Sequence, residues 1–228
     1  MESINKYFDH TLLKPGARRR DIEKLCEEAK KYSFYSVCVN SCHTALASGL
    51  LEGSSVKTAT VIGFPLGAST SDAKAYETDS ACSAGADEID MVINIGAVRD
   101  GDFDFVTDDI AAVASICAEH DAVLKVILET CLLTDDEIIK ACKAAERGGA
   151  DFVKTSTGFA APPEGKTSGA TVHDVKLMRS AISDNVKIKA SGGIHTLAQA
   201  HSLIEAGADR LGASASVKIM EEYLSYLT

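Results

Sequence analysis

No run of apolar residues in this sequence approaches the roughly 20 needed for a membrane-spanning helix. The opening residues, Met1-Glu2-Ser3-Ile4-Asn5-Lys6-Tyr7, lack the apolar stretch of a secretory signal. Both absences lead us to expect a cytoplasmic protein with no membrane partner. Metal-ligand spacing is missing too: the six histidines are scattered and no H-E-x-x-H occurs, so no metal is expected. The seven cysteines (Cys26, Cys38, Cys42, Cys82, Cys117, Cys131 and Cys142) include no C-x-x-C pair. Such an odd, dispersed set fits reduced thiols better than a disulfide framework. Basic residues are outnumbered 23 to 33, and a net charge of −10 disfavours nucleic acid or anionic lipid as a partner. An anionic small molecule would need a local positive site. With 46% hydrophobic and 25% charged residues, the composition is that of a folded globular chain. No linker or composition shift divides it, so residues 1–228 are expected to form one domain.

The chain repeats its own layout. Gly85-Ala86-Asp87, Gly149-Ala150-Asp151 and Gly207-Ala208-Asp209 each close a helical stretch and precede a strand-like run. The glycine suits a helix C-cap, and the spacing is about two β/α units. Eight strands are predicted: Tyr7–Leu12, Ser36–Asn40, Lys57–Phe64, Glu88–Asn94, Leu124–Thr130, Phe152–Gly158, Val186–Gly192 and Arg210–Ser216. Helical spacing recurs between them, as in Ile22, Leu25, Cys26 and Ala29 or Val106, Ile110, Val113 and Cys117. Thr134 with Glu137, and Thr196 with Gln199, read as capping boxes. Alternating strands and helices imply a parallel sheet, and eight units imply an α/β fold of one closed (β/α)₈ TIM barrel.

Alternation along the strands then places charge inside. Ile89, Met91 and Ile93 share one face of the fourth strand, leaving Glu88, Asp90, Val92 and Asn94 on the other. The apolar set must meet the helices, so Asp90 points inward. The same reasoning sends Lys125, Ile127 and Glu129 inward on the fifth strand, and Phe152, Lys154 and Ser156 on the sixth. On the seventh it sends Lys187, Lys189 and Ser191 inward. Asp9 lies near the end of the first strand, where the pattern leaves the register open. Barrel interiors are normally apolar, so the alternatives are a structural ion-pair network or a reactive site.

Two lysines on neighbouring strands favour the reactive site. A free lysine has a pKa near 10.4, so only about 0.04% is the nucleophilic free base at pH 7. A nearby ammonium and burial both favour the neutral form, and bringing the pKa to about 7 takes about 4.6 kcal/mol. An inward carboxylate such as Asp90 can move protons. The loops after the seventh and eighth strands, Ser191-Gly192-Gly193-Ile194-His195-Thr196 and Gly212-Ala213-Ser214-Ala215-Ser216, open helices with glycines and a serine hydroxyl. That is where barrel enzymes often hold phosphate. Cys38 reads as a small buried residue rather than a reactive thiol. His10, His43 and His173 read as loop or capping groups rather than ligands. The segment from Phe159 to Gly169 reads as either an active-site lid or a passive excursion.

Five segments, Asp9-His10-Thr11-Leu12-Leu13-Lys14-Pro15, Val37-Cys38-Val39-Asn40, Glu88-Ile89-Asp90-Met91-Val92-Ile93-Asn94, Phe152-Val153-Lys154-Thr155-Ser156-Thr157-Gly158 and Lys187-Ile188-Lys189-Ala190-Ser191-Gly192-Gly193, together resemble the deoxyribose-phosphate aldolase family over nearly the whole chain. The resemblance implies a class I aldolase, free of metal and cofactor. It would cleave 2-deoxy-D-ribose 5-phosphate to D-glyceraldehyde 3-phosphate and acetaldehyde. It assigns the Schiff base to Lys154, pKa lowering and proton transfer to Lys189, and proton exchange to Asp90. Asp9, Lys125 and Thr157 become supporting residues, and Gly158, Gly192, Gly193, Gly212 and Ser214 the phosphate end. His195 stands where many members have arginine, and Ser41 where proline is common. Tyr226, followed by only two residues, is not given the role of the tail tyrosine found in some members. A Schiff-base aldolase or transaldolase for another sugar phosphate, or an inactive sugar-phosphate-binding barrel, are the competing readings. Exposed barrel helices commonly pair, so a homodimer is expected.

Overall fold

A computed structural model describes residues 3–226. Eight parallel strands follow one another around a closed barrel: β1 Phe8–Leu12, β2 Ser36–Asn40, β3 Lys57–Ile62, β4 Glu88–Val92, β5 Val123–Ile127, β6 Phe152–Lys154, β7 Lys187–Ser191 and β8 Arg210–Ala213. β8 pairs with β1, Asp9 opposite Gly212, and leaves no free edge. Outside run α1 Arg19–Tyr32, α2 Thr44–Leu51, α3 Ser71–Ser83, α4 Ile95–Asp100, α5 Phe103–Glu119, α6 Asp135–Arg147, α7 Val172–Ala181, α8 Leu197–Glu205 and α9 Ser216–Ser225. The (β/α)₈ expectation is therefore borne out.

The outward faces of the strands make the main apolar core. Ile89, Met91, Leu124, Val126, Val153, Ile188 and Ala190 are buried there against Ile22, Leu25, Ile110, Val113, Ile138 and Val175 of the helices. Burying each of the larger side chains contributes about 1.5–3 kcal/mol. Both expected capping boxes form: Thr134 and Thr196 accept from the amides of Glu137 and Gln199, whose side chains reach back.

The Gly-Ala-Asp repeat has a physical function. Gly85, Gly149 and Gly207 turn the chain with φ of 94°, 91° and 113°, a region few other residues enter cheaply. The aspartate that follows then staples its strand to the one before. Asp87, Asp151 and Asp209 accept from the amides of Thr58, Leu124 and Ile188, each at 2.8 Å. Their own amides donate back to the carbonyls of the same three residues at 2.8, 3.0 and 2.8 Å. β4, β6 and β8 are thus fastened to β3, β5 and β7 at the N-terminal rim.

Six of the eight strands end earlier than the sequence pattern predicts, all at the C-terminal rim. Side chains there take other partners. Asn94 caps α4, accepting from the Ala97 amide at 3.1 Å. Glu129 adopts φ 58° and opens a 3-10 turn. Gly192 bends the chain with φ 87°, and Ser216 donates to the Ala213 carbonyl at 2.8 Å as α9 begins.

Candidate active site

The inward side chains of five strands meet in a closed ring of alternating charge. Asp90 Oδ1 accepts from Lys125 Nζ at 3.0 Å, and Lys125 Nζ also donates to Glu88 Oε2 at 2.7 Å. Arg210 joins Glu88 at 3.1 Å to Asp9, reached by its Nε at 2.8 Å. Asp9 Oδ2 pairs with Lys189 Nζ at 2.5 Å, and Lys189 Nζ returns to Asp90 Oδ2 at 2.6 Å. Three carboxylates and three cations close this circuit. Lys154 hangs from it: its Nζ donates to Asp90 Oδ2 at 2.7 Å, so two lysine nitrogens share one oxygen. All seven side chains are buried.

Such a ring survives in a low-dielectric interior only because each charge is paired. Lys154 is the surplus cation, and its pKa is displaced accordingly. Burial pushes it below the usual lysine range and the Lys189 ammonium adds to that, while Asp90 opposes both. Burial would depress Lys189 and Lys125 as well. Asp9 and Asp90 outweigh it for Lys189, and Asp90 and Glu88 for Lys125, so both are raised. Asp90 is held well below the usual carboxylate range despite its burial, by Lys125, Lys154 and Lys189. The amine depressed among these groups is therefore Lys154, with burial acting more strongly than the neighbouring ammonium.

Of the seven, Lys154 also lines the cavity at the C-terminal rim. That cavity, about 430 Å³, is bordered by Thr157, Gly158, Gly192, Gly193, Gly212 and Ser214. The expected phosphate residues and the lysine thus face one space. Gly158, Gly192 and Gly193 have φ of 82°, 87° and 75°. A Cβ on Gly192 would meet Gly169 Cα at 2.8 Å, so the 159–169 segment rests directly on the glycine loop. Phe159 borders the cavity and stacks edge-on against Phe64, ring centroids 5.3 Å apart. Gly212 serves a second purpose: a Cβ there would lie 3.1 Å from Lys189 Cε and 2.9 Å from Ser191 Cβ. The empty inward position gives Lys189 its path across the barrel.

Chain comparison bears on the same geometry. The family model described as DeoC/LacD family aldolase matches residues 4–221. The chain belongs to that family. A Finegoldia magna protein named deoxyribose-phosphate aldolase is 56% identical over 218 residues, 96% of this chain and 99% of that one. A Lactococcus lactis protein of the same name is also 56% identical, over 96% of each chain. Among solved structures, one described as "QR15, an Aldolase" has TM-score 0.91 at 40% identity, covering 100% of this chain and 98% of its own. A deoxyribose phosphate aldolase from Aeropyrum pernix, described as tetrameric, has TM-score 0.89 at 33% identity, covering 98% and 92%.

Within this DeoC/LacD family aldolase, some residues depart from the sequence reading. Lys187 lies on the inward face but is exposed; its ammonium lies 5.8 Å from the centroid of the Phe152 ring. Alternation gives the face and not the depth. His10 is not a loop group: it is buried in β1 with Nε2 3.0 Å from Glu28. Cys38 packs inside with Leu13, Ala59 and Val61; burial and then Asp90 push its thiol up to about 11. Three neighbours of the site were given no role. Arg210 closes the ring, and the R-L-G-A alternation of β8 was the available signal. Glu129 accepts from the Thr157 amide at 3.2 Å and from its hydroxyl, holding the loop that follows Lys154. Lys14, an exposed cation on the cavity edge with Ser214 and His195, stood unmarked within its motif. Among the described residues, no group of three or more His, Cys, Asp or Glu side chains is placed to hold a metal ion. No described helix is long and apolar enough to cross a membrane.

Proposed function

We propose that this chain is a class I aldolase that reversibly cleaves 2-deoxy-D-ribose 5-phosphate to D-glyceraldehyde 3-phosphate and acetaldehyde, using Lys154 as the Schiff-base amine. One observation carries the reading: Lys154 is the surplus cation of a balanced ionic ring and lines the cavity. Its amine is therefore the one most readily freed of its proton. The family and the relatives named deoxyribose-phosphate aldolase support the substrate.

In the cleavage direction, the free amine adds to the C1 aldehyde of the open-chain sugar, and the adduct takes up a proton and loses water to give a protonated imine. The C3 hydroxyl proton passes to the Asp90 and Lys189 pair, directly or through water. C3 becomes a carbonyl as the C2–C3 bond breaks. Its electron pair flows into the imine, leaving an enamine on Lys154. Glyceraldehyde 3-phosphate departs, C2 regains a proton, and hydrolysis releases acetaldehyde and the free amine. Asp9 and Lys125 keep Lys189 and Asp90 in place. Thr157 holds the rim loop through Glu129. The amides around Gly158, Gly192, Gly193 and Gly212, the Ser214 hydroxyl, and Lys14 with His195 receive the phosphate as a remote handle.

The same proposal takes residues 1–228 as one catalytic domain, self-associating as a homodimer in the cytoplasm. Light scattering separates dimer from monomer and from the tetramer described for the Aeropyrum pernix relative. The decisive test is borohydride trapping with acetaldehyde followed by peptide mass spectrometry. The adduct is expected on Lys154; one on Lys189 or Lys125 overturns the assignment. Trapping without turnover of deoxyribose 5-phosphate points to another sugar phosphate or an inactive binder.

A further inference from the structure

The ionic ring extends from the cavity toward the opposite mouth of the barrel. Arg210 opens β8, and its guanidinium lies 3.4 Å from the centroid of the half-exposed Tyr35 ring at the N-terminal side. It faces Asp9 on β1, Ser36 on β2 and Glu88 on β4. Lys189 of β7 is its register neighbour, and Lys125 of β5 shares Glu88 with it. Around Lys154 stand Asp90 of β4, Lys189 of β7 and Cys38 of β2. Neither Arg210 nor Glu88 borders the cavity, so neither touches substrate. Yet each is one of the six charges whose sum leaves Lys154 without a carboxylate of its own.

We propose that Arg210 and Glu88 are positioning residues for the reacting amine: by closing the ring they hold its net charge at zero, which fixes Lys154 as the group that gives up its proton. The physical basis is Coulombic. In a buried cluster the charge of distant members is weakly screened, and adjoining pairs pass a change along by moving the shared side chains. Removing Arg210 leaves the ring one cation short, and Lys154 becomes the cation that completes it. Removing the Glu88 charge leaves one cation too many, and Lys154 sheds its proton more readily. The two changes therefore drive the amine in opposite directions. A residue that merely supports packing would lower activity in both variants without separating their pH dependence.

The inference rests on Lys154 being the reacting amine, and the test distinguishes the two failures. The pH dependence of kcat/KM for deoxyribose 5-phosphate and of borohydride trapping with acetaldehyde is measured for wild type, Arg210→Met, Glu88→Gln and the double variant. The acid limb of Arg210→Met is expected at least one pH unit higher, with a tenfold or greater loss below the limb. That of Glu88→Gln is expected at least half a unit lower. The double variant returns close to wild type, and Arg210→Lys, which keeps the charge, stays near it. If Arg210→Met does not fold, Glu88→Gln decides alone: an acid limb that stays or rises overturns the inference. If the wild-type adduct is not on Lys154, the proposed function fails instead. If the adduct is on Lys154 but the limbs of Glu88→Gln and Arg210→Met move together or stay still, only this inference fails.

Discussion

Replacing Lys189 with methionine keeps the unbranched side chain as far as Cε and removes the ammonium with its charge. In the structure the ammonium shares the Asp90 Oδ2 atom with Lys154, at 2.6 and 2.7 Å. Two such charges about 4 Å apart repel by ~4 kcal/mol at an effective dielectric near 20, equivalent to about three pKa units. Water entering the vacated space and a tighter Lys154–Asp90 pair change the net value, so a rise of about one to two units is expected. The sign follows from the chemistry. Cleavage needs the free base of Lys154, so the rate climbs with pH through its pKa, and raising that pKa shifts the acid limb to higher pH. Below the limb, kcat/KM should fall about 10- to 100-fold from titration alone, on top of any loss of proton transfer. The assay is a pH profile of cleavage from pH 5 to 10, beside the pH profile of imine trapping, which isolates the nucleophile. An acid limb that does not move, or moves to lower pH, refutes the claim that the Lys189 charge holds Lys154 depressed.

Gly212→Ala should displace Lys189 Cε, because the new methyl lies 3.1 Å from it; kcat is expected to drop about tenfold or more in steady-state assays, and unchanged kcat would remove the spatial argument. Lys74 and Asp109 form a buried pair between α3 and α5 at 2.5 Å, so Lys74→Met should cost about 3–5 kcal/mol in urea unfolding while leaving the acid limb where it is. Thr157→Val strips the Glu129 carboxylate of its hydroxyl donor; a loss of about 1–3 kcal/mol is expected, with a rise in KM as the rim loop loosens. Cleavage activity should survive prolonged EDTA treatment, since the imine is the electron sink; loss restored by a divalent metal would contradict the proposed chemistry.

Much of this was legible because charge in a barrel interior conflicts with the usual pattern. Asp90, Lys125 and Lys189 each alternate with aliphatic residues that must face helices, Lys154 alternates with Val153 and Thr155, and the structure puts all four in one ionic cluster. Asp9 lacked such flanks: apolar Phe8 precedes it and polar His10 follows it, so pattern gave no preference. Arg210 alternates with Leu211 and Ala213 in β8, but the next inward position is Gly212, which carries no side chain to mark the face, so the arginine went unread. Glu129 was assigned to a strand, whereas its left-handed backbone aims the carboxylate at Thr157. Lys187 shows the remaining limit, because period-two patterning carries no information about position along the barrel axis.

The three aspartate staples all lie at the rim away from the cavity, each locking an even strand to its odd predecessor. Rigidity is thereby concentrated where no chemistry occurs, and the opposite rim is released from having to hold the barrel together. Loops there can lengthen, shorten or exchange sequence without loosening the strands beneath, so substrate range can drift while the lysine stays in register.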